Sequence, residues 1–170
     1  MRNLKILTLS LLFSFFCVTG LHAQNNFELP SNVVLEAKED YAKYETAMVD
    51  AAKWLEETDL GKEPDKRQEV NAFVLQWVSG SPTVSVEINE HLSKIYGKNI
   101  QLIGVYLASY CRHYIENKGT ATKASATKAA LTSMMNVYKK GIAIKKSKEM
   151  DKLIKQAEEG KLDEYVANYF

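Results

Sequence analysis

Between Asn99 and Asn117 the chain carries apolar side chains around most of the girth of a helix. Ile100, Ile103, Leu107, Tyr110 or Cys111, and Tyr114 recur at helical spacing, and Leu102, Val105 and Tyr106 broaden their stripe. A helix that is apolar nearly all round has to be buried, so this segment belongs at the centre and the rest must wrap it. Asn99 is expected to cap its start, and Gly119 to mark its stop. Gly104 and Ala108 lie four apart on it. Glycine inside a helix costs about 1 kcal/mol against alanine, so its presence predicts close approach of a second helix.

The flanking segments read as helices of ordinary length. Val34, Ala37, Tyr41, Tyr44, Met48, Ala51 and Leu55 alternate steps of three and four, which predicts one continuous stripe. Thr58-Asp59-Leu60-Gly61 ends it. Pro64 suits the first position of the next helix, whose inner face is Val70, Phe73, Val74, Trp77 and Val78. Ser79-Gly80-Ser81-Pro82 is a breaker cluster. Thr83–Ile88 alternates apolar and polar residues with no obvious strand to pair with, and reads as an extended connector. A short helix over Asn89–Tyr96 follows. Beyond Gly119, helices are expected over about 121–140, from Ser147 or Lys148 to Gly160, and through Leu162, Tyr165, Val166 and Tyr169. Residues 24–31 read as an extended arm. No repeat of solenoid length recurs. The expected fold class is all-α: an irregular bundle of six or seven helices with one short extended connector.

The first residues have another purpose. Arg2 and Lys5 precede an uncharged stretch from Ile6 to Leu21, and Leu21-His22-Ala23 supplies a small residue before polar Gln24. A positive flank, a short apolar core and a small-residue exit are the features of a cleavable secretory signal, too short to serve as a spanning helix. Residues 1–23 are therefore expected to be removed between Ala23 and Gln24, leaving 24–170 as a single helical domain, exported to the periplasm or secreted. Cys17 is a poor lipidation site because Phe15 and Phe16 stand where small residues are needed. No stable membrane anchor is expected.

Cleavage would take two of the 22 basic side chains, against 21 acidic ones. A near-neutral product lacks the basic footprint of a nucleic-acid binder. It would retain one cysteine, Cys111, and so could form no internal disulfide. Its stability must come from apolar packing. Charge is uneven along the chain: residues 24–69 hold 12 acidic and 6 basic side chains, residues 118–161 hold 11 lysines and 4 acidic ones.

Few residues suggest chemistry. Glu87 and His91 would share a helix face, but a metal needs at least a third ligand. Cys111 and His113, two apart, would point about 200° apart on a helix. His113 and Glu116 form only a surface pair. Cys111 beside an apolar stripe reads as a packed thiol rather than a nucleophile. Glu56-Glu57 and Glu158-Glu159 read as solvated helix ends. No nucleophile elbow, phosphate loop or zincin motif occurs, so neither catalytic residue, metal nor cofactor is expected. Three features stay open as ligand or partner surfaces. One is the ladder Tyr106, Tyr110 and Tyr114, which equally suits the rim of a core. The second is Ser79-Gly80-Ser81-Pro82 with its alternating continuation, an edge to which a partner strand could add. The third is the lysine cluster Lys139, Lys140, Lys145, Lys146 and Lys148, suited to an anion or envelope surface.

Asn71–Val84 and Ala130–Gly141 resemble segments of an uncharacterised family of small secreted helical bacterial proteins with no assigned function. The resemblance spans most of the chain after residue 23. It implies export and a helical fold and transfers no catalytic residue. A looser similarity is to periplasmic immunity-type helical proteins, which usually carry a cysteine pair, whereas Cys111 stands alone. The expected function is a non-enzymatic binding or interaction module of the cell envelope, its protein or small-molecule partner unidentified. The rivals are an inhibitor or immunity-type protein against a secreted toxin or hydrolase, and an enzyme using Cys111 or a histidine.

Overall fold

A computed structural model describes residues 27–170. Residues 1–23, Cys17 and the Ala23–Gln24 junction lie outside the described residues. Among the described residues the secondary structure is entirely helical: α1 (Asp40–Lys43), α2 (Glu45–Glu57), α3 (Pro64–Gly80), α4 (Glu90–Tyr96), α5 (Leu102–Glu116), α6 (Lys123–Lys139), α7 (Lys148–Glu158) and α8 (Leu162–Tyr169). The segment read as apolar all round becomes α5, which packs on α6, α2 and α3. Its Leu102, Val105, Ala108 and Cys111 are fully buried. Burying a leucine or valine side chain stabilises by roughly 1.5–3 kcal/mol, and among the described residues no disulfide shares that task. α4 packs on α7, and α8 closes over α6 and α7.

Close approach at Gly104 is realised by α3. A Cβ at position 104 would overlap Asn71 Oδ1 and stand 2.9 Å from Asn71 Cγ. Several helix ends follow local signals. Pro64 occupies the first turn of α3. The Ser147 side chain accepts from the Met150 N–H at the start of α7. Thr122 and Ser125 form a reciprocal capping box on α6.

Two expectations need correction. The stripe from Val34 to Leu55 is not one helix. The chain is irregular up to Glu39, and α1 is separated from α2 at Tyr44, so that the described residues form eight helices where six or seven were expected. The cause is side-chain competition for backbone donors. Asp40 Oδ2 accepts from the N–H groups of Glu36 (3.2 Å) and Ala37 (2.8 Å), and the Tyr44 hydroxyl accepts from the Val34 N–H (3.1 Å). The upstream chain is thereby held as a loop, with Val34 half exposed. Nor does Asn99 cap α5. It is buried, its Nδ2 donates to the Lys145 carbonyl (2.7 Å), and its Oδ1 accepts from the Lys145 N–H (2.8 Å). Asn99 thus stitches the α4–α5 loop to the α6–α7 loop. The arm expected over 24–31 is non-helical where it is described, but it is not free: Phe27 is buried in the core.

Candidate binding groove

The C-terminal half of α3 and the connector Ser81–Asn89 diverge and leave a hollow of about 350 Å³ between them. Leu75, Val78 and Ser79 line one side. Ser81, Val84–Val86 and Ile88 line the other, and Leu107 of α5 contributes from the core. Leu75 and Ile88 are 54% and 51% exposed. Two large apolar side chains left in water at one hollow are less common than a single stray one, and mark a surface suited to contact.

The connector is held in place without being used up. Val84 is buried. Ser81 Oγ accepts from the Val84 N–H at 3.2 Å. From beneath, the Tyr110 hydroxyl donates to the Ser85 carbonyl at 3.1 Å. On the far side Glu87 pairs with Lys123 of α6. Among the described residues no backbone–backbone hydrogen bond involves residues 82–88, and the N–H groups from Ser85 to Ile88 have no protein acceptor. An extended segment with free main-chain donors beside apolar pockets can accept a second extended chain.

Two features that looked separate in the sequence therefore meet. The tyrosine ladder runs along α5 with its rings tilted against one another, centroids 6.2 Å apart for Tyr106–Tyr110 and 5.3 Å for Tyr110–Tyr114. Tyr106 and Tyr110 are buried and Tyr114 is half-buried. Burial pushes the Tyr106 hydroxyl up to about 12 and the Tyr110 hydroxyl higher still, so Tyr110 stays a donor to Ser85. Ser79 and Ser81 line the hollow. Gly80 is exposed and lies against Tyr41: a Cβ there would overlap the Tyr41 hydroxyl, whose ring meets Trp77 edge-on at 6.0 Å. Pro82 is exposed beside the hollow but is not part of its lining. Leu75 and Leu107 were not legible as groove residues. Leu75 stands off the inner stripe of α3, the one local signal that could have drawn notice.

The residues weighed for chemistry lie apart. Cys111 is fully buried, and desolvation raises its thiol to about 12. His113 Nε2 pairs with Ser125 Oγ at 2.9 Å. His91 turns to α8, where it meets the Tyr165 hydroxyl and stacks on Tyr169. Glu87 precedes α4, so it does not share a helix face with His91. Among the described residues no three His, Cys, Asp or Glu side chains gather as a metal would require. Glu56 is engaged rather than solvated: Ser109 donates to it (2.6 Å) and Arg112 holds it with two nitrogens (2.9 and 3.0 Å). Glu158 and Glu159 pair with Lys139 and Lys161. Arg67 was not singled out by its sequence context, yet it is buried beneath Trp54, donating to the Thr58 and Asp59 carbonyls. No helix among the described residues is long and apolar enough to cross a membrane.

No family model, curated protein or solved structure matches this chain.

Proposed function

We propose that the chain is an exported, non-enzymatic binding module of the cell envelope, cleaved after Ala23, that holds an extended segment of a partner protein against residues 83–88. The observation that carries this reading is the free run of N–H groups from Ser85 to Ile88 beside the hollow, flanked by exposed Leu75 and Ile88. In strand addition the main chain supplies affinity, and pockets for alternate side chains supply selectivity. The hollow is walled by leucine, valine, isoleucine and serine, so the occupant is an uncharged segment with apolar side chains at alternate positions.

Site-specific photo-crosslinking in producing cells tests this. A crosslinker at Leu75 or Ile88 should capture a discrete adduct whose mapped peptide is extended and apolar. The same group at exposed Thr132 of α6 should not. Val86→Pro, which bars the chain from pairing at that register, should abolish the adduct while leaving helical content unchanged. Adducts that persist in Val86→Pro, or that form equally at Thr132, would overturn strand addition. A small-molecule adduct would reassign the hollow to a ligand. Intact mass of exported protein beginning at Gln24 checks the cleavage.

A further inference from the structure

A second surface lies at the end of the bundle where the α2–α3, α4–α5 and α6–α7 loops meet. Asn99 joins the second loop to the third through its paired bonds with Lys145. Ser147 Oγ adds a bond to the Ile95 carbonyl at 3.0 Å. Gly61 in the first loop faces Ala143 in the third: a Cβ added at position 61 would lie 3.5 Å from the Ala143 Cβ. Lys140 Nζ reaches across to the carbonyls of Glu56 and Glu57, closing the end of α2.

Two side chains project from this pinned end. Ile100 is 59% exposed and Ile142 46%. Around them the lysines are unusual in having nothing to pair with. Lys118, Lys123, Lys128, Lys139, Lys152, Lys155 and Lys161 each contact a carboxylate. Lys140 is taken up by carbonyls. The lysines of 118–161 left over are Lys145 and Lys146 in the α6–α7 loop and Lys148 at the start of α7. Lys98 and Lys62, in the two adjoining loops, are likewise exposed and without an ion-pair partner among the described residues. Of the nearby carboxylates, Glu63 faces Lys66, Glu149 holds Lys152 and Asp151 accepts from Tyr138, whereas Glu57 and Asp59 have no ion-pair partner among the described residues.

We propose that this end, with Ile100 and Ile142 as apolar wedges and Lys62, Lys98, Lys145, Lys146 and Lys148 around them, docks on an anionic lipid surface. Apolar side chains enter the boundary between headgroups and acyl chains while ammonium groups lie among the phosphates. The unpaired lysines supply the complementary charge. The hydrogen bonds of Asn99 and Ser147 hold the two isoleucine-bearing loops in place before contact, so little ordering is needed on docking. The groove beside α3 uses different residues, so either surface can be tested without the other.

Sedimentation with phosphatidylcholine vesicles, with and without phosphatidylglycerol, tests this on protein purified as cells produce it. Because residues 6–21 are apolar, the comparison is between variants prepared identically. Binding should require phosphatidylglycerol and weaken with salt. Neutralising one lysine should lower the partition coefficient about fivefold, and the combined Lys98→Glu, Lys145→Glu, Lys146→Glu variant should reduce it to background. Ile100→Ser with Ile142→Ser should lower it at least tenfold, with salt dependence retained. A control carrying Lys53→Glu, Lys118→Glu and Lys128→Glu, of the same net charge, should bind like the parent. Equal loss in that control, binding indifferent to phosphatidylglycerol, or parent-like binding by the isoleucine variant would each overturn the proposal. Competition by soluble polyglutamate that ignores the isoleucines would overturn it in favour of an acidic protein partner.

Discussion

Asn71 of α3 sits directly over Gly104 of α5, leaving no room for even a methyl group between the two helices. The contact fixes how near α3 comes to the central helix, and so where the groove wall carrying Leu75 and Val78 stands. Gly104→Ala should destabilise the protein by about 1–3 kcal/mol through overpacking, even though alanine favours helix by about 1 kcal/mol. Asn71 Oδ1 is buried without a hydrogen-bond partner, so Asn71→Ala should cost little alone and should recover most of the loss in the double variant. Urea unfolding midpoints of the three variants would decide it. A Gly104→Ala protein more stable than the parent would refute the steric account.

Cys111 should behave as a packing residue. With its thiol raised to about 12 by burial, it should not react with a disulfide reagent at neutral pH in the folded protein, and should react promptly once denatured. Protein that has lost residues 1–23 should then yield one thiol, and uncleaved protein two, counting Cys17. Fast labelling of folded protein would contradict the burial seen here and reopen a nucleophilic role.

His91 gives the fold a defined response to mild acid. It stacks on Tyr169 at 4.2 Å with ring planes 3° apart, meets the Tyr165 hydroxyl, and faces the ring of Phe170 edge-on. Burial, then Lys94, lower its pKa, while Glu149 opposes them weakly. The folded state therefore binds the proton less readily than the unfolded chain. Stability from this residue is present above about pH 6.5 and is lost as pH falls through the depressed value. Asp40, Glu90 and Glu159 are also depressed, but from carboxylate values, so their contribution is lost only at lower pH. Melting temperature should drop between about pH 7 and pH 5, and His91→Phe should flatten that step. An unchanged step in the variant would assign it elsewhere.

Asn99→Ala should cost about 1–3 kcal/mol, because it leaves the Lys145 N–H and carbonyl without their buried partner. Amide exchange should accelerate over 141–147 before it does in α5. Exchange that rises evenly across the protein would mean that Asn99 supports the whole bundle rather than the two loops.

Much of the helical layout was legible because its signals are local. Pro64 opens α3 and Ser147 caps α7. Gly141 and Gly160, at φ +70° and +74°, mark helix ends that other residues would strain to form. The apolar girth of α5 placed it in the centre. The loop before α1 was illegible because Val34 and Ala37 continue a helical period. Their backbone donors are instead captured by Tyr44 and Asp40, a choice that periodicity does not encode. Asn99 was misread for a related reason: a cap and a loop stitch call for the same side chain.

The sequence by itself determined the all-helical character, the central helix and the tight contact awaiting Gly104, since apolar periodicity, caps and a costly mid-helix glycine act within a few residues. Only the tertiary structure decided that Tyr110 props up Ser85, that Leu75 and Leu107 share a hollow with the connector, and that Asn99 pins its loop to Lys145. Those residues lie far apart in the chain. Whether a side chain is left without a partner depends on how helices pack, and packing is a property of the assembled bundle rather than of any one segment.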